Sequence, residues 1–339
     1  MTPLDPPAEF SYMASIGAAD RVWEDLVATV PSRLLPRLSQ LVFALIKPDA
    51  IAMGVHQLIL DSIVDRGWRL MSAKAISAPQ AGAFESLYAF NLTARNEQNQ
   101  LGVWWLNSKL YTAGPSIALL LQVPNHAPHE EVSKWKGPSD PMLAVPGQVR
   151  HDARGSNTAM NLVHAADGPI STAREYLIFH DLGELVHALQ ASAERAPDAV
   201  PDHELEHALC LARPTHRALD LPSAVIRSKL LLEAHGADGA RAVPARVQRH
   251  VDFLMSEAPP EERWRDFCRL LRTERRSKRP RQSRGTDRAL EILADPSNYS
   301  HGAAVSVIAA LTEAGVAVDV WDRLALETGM HYAPDEVSD

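Results

Sequence analysis

Cysteine is almost missing from this chain. Two in 339 residues, Cys210 and Cys268, exclude a disulfide-stapled scaffold and fit a reducing compartment. Long apolar runs are missing as well. No run approaches the length of a membrane span, and no N-terminal apolar stretch follows a basic one. No membrane partner is expected, and a cytoplasmic location is. Nor is there any excess of positive charge: the formal net charge is −8 and the pI near 6.0, so nucleic acid is not an expected partner. What the chain does have is bulk. A hydrophobic content of 46% over this length supports a sizeable core and a division into two domains.

The first 40 residues begin Pro-rich and acidic. A helical pattern follows over about Ala18–Val30 and is ended by Pro31 and Pro36. This reads as an extension packed on the outside of a domain. Leu41–Ile46 is a continuous apolar run, the mark of a strand buried on both faces. K-P-D-A follows it, and then an amphipathic helix after Gly54 that closes at Gly67. Trp68–Ile76 reads as a second strand and Ala81–Phe90 as a helix. A polar stretch, Asn91–Gly102, precedes V-W-W-L-N-S-K-L-Y-T-A-G-P. Ser116–Val123 is a third strand and His129–Lys136 a short helix. K-G-P-S-D-P and P-G-Q-V-R lead to M-N-L-V-H-A-A-D, in which an apolar strand carries His164, with Asn161 three residues before it and Asp167 three after. Pro169 then opens a helix containing Glu175.

K-P-D, A-G-P, P-G-x-x-R and N-x-x-H-x-x-D, in that order and each on its expected element, resemble the signatures of nucleoside diphosphate kinases. The resemblance covers about residues 41–180. It implies an α+β, ferredoxin-like core, an antiparallel sheet with helices on one face. It also implies a γ-phosphoryl group passed from a nucleoside triphosphate through a phosphohistidine to a nucleoside diphosphate or related acceptor. His164 would be the nucleophile and Glu175 would fix its orientation and tautomer. Lys47, Tyr88, Ser139, Arg150 and Asn161 would bind phosphate and sugar, and Trp104 would stack on the base. Mg²⁺ would arrive on the nucleotide phosphates, with no protein metal site. Family members are homo-oligomers, so one is expected here.

The chain departs from the pattern in three places. Ala165-Ala166 follow the histidine where the family has Gly-Ser, which removes a hydroxyl that helps orient the imidazole. An arginine expected near Ser133 is absent, and Lys134 or Lys136 is offered in its place, charged but without the planar two-point grip. The Asn91–Gly102 stretch is longer than its counterpart. Two other readings therefore stay open: a non-catalytic nucleotide-binding or scaffold protein, and a phosphotransferase for a specialised metabolite.

Beyond residue 180 the pattern is helical. Helices are expected at Leu182–Glu194, His203–Leu211, Ala224–His235, Ala242–Met255, Glu261–Arg276, Ala303–Ala314 and Val318–Glu327. The expected division is thus 1–40, an N-terminal extension; 41–180, the kinase-like domain; and 181–339, an α-helical domain. His203-Glu204-Leu205-Glu206-His207 fits H-E-x-x-H, the zinc-peptidase spacing. With no third ligand indicated, it reads as a solvated helix start. Arg269–Arg288 is strongly basic, and Pro280, Ser283 and Gly285 suggest a charged loop between helices. No aromatics are interleaved for stacking on single strands.

Overall fold

The computed structural model describes residues 19–77, 82–88, 104–124, 126–193, 206–207, 209–210, 214, 216–235, 244–275 and 284–334. The chain forms two compact units. One comprises Met1–Pro138 and Leu162–Thr215, the other Ser139–Asn161 and His216–Asp339. The N-terminal extension and residues 181–215 therefore belong with the sheet, and 139–161 with the later helices.

The first unit runs α1 (Ala19–Thr29), β1 (Leu41–Ile46), α2 (Pro48–Met53), α3 (His56–Asp65), β2 (Arg69–Ile76), α4 (Ala83–Leu87), α5 (Trp104–Ala113), β3 (Ser116–Gln122), α6 (Pro128–Lys136), β4 (Val163–Ala165), α7 (Pro169–Phe179) and α8 (Leu182–Ala191). The sheet order is β2-β3-β1-β4, and every pairing is antiparallel. That is the ferredoxin-like order the motifs implied. β1 is buried along its whole length, as its unbroken apolar run requires.

Both faces of the sheet are covered, not one. On one face Leu41, Phe43 and Leu45 cluster with Leu26 of α1 and Val30 just after it, Tyr176 of α7 and Leu185 and Leu189 of α8. Val42, Ala44 and Ile46 alternate with them and are equally buried. The crossover connections carry α3 and α6, where Trp135 donates to the Ser62 hydroxyl at 3.0 Å and meets Trp68 edge-on at 5.4 Å. A central strand apolar at every position leaves no face for water, so a second helical layer is required. Each fully buried Leu or Ile contributes roughly 1.5–3 kcal/mol. Leu26, Val30, Leu34, Leu35 and Leu38 of the extension are thus part of the core.

The second unit is helical: α9 (Leu221–Ala234), α10 (Pro244–Leu254), α11 (Pro260–Arg275), α12 (Arg284–Leu293), α13 (His301–Glu313) and α14 (Val320–His331), with a short helical turn at Val149–Asp152. Leu221, Val225, Phe267, Leu293, Val307 and Leu326 lie in one shared core. α12 corrects the expectation of a loop. Thr286, Ala289, Leu290, Ile292 and Leu293 are buried, an apolar stripe at helical spacing that the neighbouring arginines obscured. Pro280 and Ser283 lie outside the described residues, as does most of His203–Leu211.

Gly329 on α14 faces Leu221 so closely that a Cβ there would sit 2.6 Å from the Leu221 Cβ. Gly329→Ala must push α9 and α14 apart, and overpacking of this kind costs about 1–3 kcal/mol. A lower midpoint of chemical denaturation is expected; an unchanged one would show that the two helices are not in that contact.

Candidate active site

His164 sits in the middle of β4, paired with Leu45 of β1. Its side chain is about one-fifth exposed, so one edge of the ring reaches solvent. Its Nε2 donates to Glu175 Oε2 at 2.7 Å, because an ionised carboxylate can only accept. Glu175 comes from α7 and is buried. The helix is fastened to the sheet by Thr172, whose hydroxyl accepts the Phe43 amide at 3.3 Å and lies 3.0 Å from His129 Nε2. Burial lowers the His129 pKa to about 4, so that imidazole is neutral at pH 7. With Nε2 engaged, the lone pair of His164 is carried by Nδ1.

Glu175 is itself braced. Arg174 Nη2 donates to Glu175 Oε1 at 3.1 Å, and Arg174 Nη1 donates to the Ser86 carbonyl at 2.8 Å. The same guanidinium thus ties α7 to α4. Two residues on from Ser86, the Tyr88 ring lies 5.4 Å from the His164 ring, edge-on. The Tyr88 and Tyr111 hydroxyls share a hydrogen bond of 2.7 Å. Tyr111 is held in a stack on Phe84, with centroids 4.1 Å apart, and the Lys47 ammonium lies 5.8 Å from its ring. Burial, reinforced by Tyr88, raises the Tyr111 pKa well above the usual phenol range, so that ring stays neutral.

The K-P-D motif also shapes the strand that carries the histidine. Leu162 has φ of 74°, a left-handed conformation that a branched residue holds only when its surroundings impose it. Two hydrogen bonds do so. Leu162 donates to Asp49 Oδ2 at 2.9 Å, and its carbonyl accepts the Lys47 amide, also at 2.9 Å. Asp49→Ala removes one of them and leaves a buried amide without its acceptor. The expected cost is about 1–3 kcal/mol of stability, with turnover lowered as β4 shifts. A variant as stable as its parent would show that Leu162 needs no such clamp.

Lys136 completes this group. Its ammonium donates to the Ala165 carbonyl at 3.3 Å and lies 3.7 Å from Asp167, whereas Lys134 is exposed. Of the two lysines offered for the absent arginine, Lys136 is the one beside β4. Ala166 is buried, and its amide donates to the Phe43 carbonyl at 2.9 Å. The hydroxyl lost at that position has no replacement on that side chain.

Ser139, Arg150 and Asn161 are brought together in the second unit. Arg150 is buried, and its Nε donates to the Asn161 carbonyl at 3.1 Å. The Asn161 amide donates to the carbonyls of Ser139 and Thr158, at 3.0 and 2.9 Å. Asn161 therefore closes the 139–161 segment on itself. Trp104 is the first residue of α5, and its side chain lies outside the described residues. Of the H-E-x-x-H stretch, Glu206 and His207 are exposed and helical, and the remainder is outside the description.

Sequence reasoning missed Asp49, Arg174 and Tyr111. Asp49 and Arg174 lie inside motifs that had been singled out, K-P-D and S-T-A-R-E. Tyr111 sits within V-W-W-L-N-S-K-L-Y but has no local pattern to mark it.

Residues 40–185 match the family model for nucleoside diphosphate kinase. A nucleoside diphosphate kinase of Deinococcus radiodurans is 30% identical over 147 residues, 42% of this chain and 96% of that protein. One from Methanocorpusculum labreanum is 31% identical over 145 residues, 42% of this chain and 89% of its own. Among solved structures, apo nucleoside diphosphate kinase from Encephalitozoon cuniculi covers 50% of this chain and 99% of its own at 20% identity, with a TM-score of 0.38. The chain belongs to the nucleoside diphosphate kinase family.

Proposed function

We propose that this protein is a nucleoside diphosphate kinase-like phosphotransferase working through a phosphohistidine at His164. The observation that carries this is the His164–Glu175 pair, at 2.7 Å on a partly exposed ring within the matched region. The Nδ1 lone pair attacks the γ-phosphorus of a nucleoside triphosphate. The bond from that phosphorus to the β–γ bridging oxygen breaks, and the nucleoside diphosphate leaves. A terminal oxygen of a second diphosphate then attacks the phosphorus, the N–P bond breaks, and the imidazole is restored.

Glu175 keeps the proton on Nε2 and takes up the positive charge that grows on the ring, and Arg174 holds Glu175 in that orientation. Lys47 and Arg150 neutralise phosphate charge, Ser139 donates a hydroxyl, Asn161 bonds the sugar, Tyr88 lines the site and Trp104 stacks on the base. Lys136 supplies part of the charge of the absent arginine. Mg²⁺ belongs to the substrate, where it neutralises the phosphate oxygens. Among the described residues, no group of three or more His, Cys, Asp or Glu is arranged to hold a metal ion. We also expect a homo-oligomer, as in the family. A cytoplasmic setting fits a chain with only two cysteines, Cys210 and Cys268.

Steady-state exchange between ATP and a nucleoside diphosphate tests this reading. Parallel double-reciprocal lines, the mark of ping-pong transfer, are expected, with no turnover in His164→Ala. Tight nucleotide binding without turnover would favour the non-catalytic alternative. Turnover only with an acceptor outside the common nucleoside diphosphates would favour the specialised one.

A further inference from the structure

A cleft opens in the sheet unit, and the chemistry above does not use it. It has a volume of about 480 Å³ and is lined by Arg37, Gly67, Arg69, Gln122, Ser192 and Ala193, among others. Small-molecule sites commonly measure roughly 300–1,000 Å³. It lies at the other end of the sheet from His164. Gln122 pairs with Leu41 and with Arg69, whereas His164 pairs with Leu45. Four residues of β1 separate the two ends, roughly 13 Å at strand spacing.

Arg69 is only half used. Its Nη1 donates to Gln122 Oε1 at 2.7 Å, and Gln122 in turn donates to the Ser192 carbonyl at 3.1 Å. That chain of bonds fixes the guanidinium plane. Its Nε and Nη2 are buried and have no hydrogen-bond partner. These two N–H groups form the side-on fork that takes two oxygens of one oxyanion. Leaving them unpaired is costly, and an anion removes the cost. Arg37 adds a second guanidinium, held loosely by a 3.4 Å bond to Gln40. Among the described residues, no acidic side chain lines the cleft. Two positive charges, one of them fixed in place, suit a dianion better than a monocarboxylate.

We propose that this cleft is a binding site for a phosphate group, gripped by the Nε/Nη2 edge of Arg69 and by Arg37. The remaining volume admits the body of a small phosphate monoester.

Calorimetric titration of the full chain with inorganic phosphate, in the presence of saturating ADP and Mg²⁺, tests the proposal. One phosphate site per chain is expected. Arg69→Gln should weaken it by about tenfold or more, the value of one charge-assisted hydrogen bond. Arg37→Gln changes a half-buried side chain held by a single long hydrogen bond, so it gives a second reading should the Arg69 variant fold poorly, and it too should weaken binding. Acetate should bind more weakly than phosphate. Tighter binding of ribose 5-phosphate than of inorganic phosphate would assign a monoester as occupant, and the reverse order free phosphate. Phosphate binding equal to the parent's in folded variants, no phosphate site at all, or acetate binding as tightly as phosphate would each overturn the proposal.

Discussion

Glu274→Ala should unfold the helical unit under conditions where the parent chain keeps it folded. Glu274 is buried on α11 between the Lys229 ammonium and the His250 imidazole, both fully buried and both bonded to its carboxylate. Burial alone would push this carboxyl up. The His250 hydrogen bond and the Lys229 charge outweigh it and hold the pKa at about 2. Removing the carboxylate from a buried ion group takes the counter-charge away from a buried cation, and breaking such a group costs about 3–5 kcal/mol. For a domain of this size that is a fall of roughly 6–20 °C in melting temperature.

The pH dependence has a definite sign. The folded-state pKa lies below the ordinary value of 4.5, so the stabilisation is fully present above that value. It is lost as pH falls toward about 2. Circular dichroism melts between neutral pH and pH 2 should show the parent converging on Glu274→Ala at the acid end. Parallel curves for the two proteins would contradict this.

Lys47→Met should lower turnover by about two to three orders of magnitude while the fold is kept. Lys47 is 2% exposed, at the exit of β1, with its ammonium over the Tyr111 ring. Methionine fills nearly the same volume, so packing is spared. What it removes is the positive charge that the proposed mechanism sets against the substrate phosphates. Donors of that kind contribute about 10²–10³ to kcat where their contact strengthens in the transition state. The split between kcat and KM then tells how the charge acts. A drop in kcat places its effect on transfer, whereas a rise in KM alone means it only holds the substrate. Full activity would remove Lys47 from the site.

Much of the sheet unit was legible because its signals are local. The L-V-F-A-L-I run is unbroken, so β1 had to be a central strand. Gly67 and Pro169 mark a helix end and a helix start. His164 and Glu175 stood in a recognisable pattern, and their side chains meet at 2.7 Å. Asp49 was harder to see: it acts on Leu162, 113 residues away, and nothing in K-P-D specifies the partner. The place of the N-terminal helix in the core was missed for a similar reason. Leu26 and Val30 look like one face of an outlying helix until β1 is seen to need cover on that side. In the other half, α12 was hidden by its arginines, since clustered charge reads as loop before the apolar stripe beneath it is counted. The composition of the buried Lys229, His250 and Glu274 group offered no hint that the three meet.

The most direct measurement is the site of phosphorylation after incubation with γ-labelled ATP and Mg²⁺. One acid-labile, alkali-stable phosphate per chain, about stoichiometric in the absence of acceptor, should map to His164, disappear in His164→Ala, and be discharged by a nucleoside diphosphate. Label that persists in His164→Ala, or a parent protein that takes up none, would contradict the account.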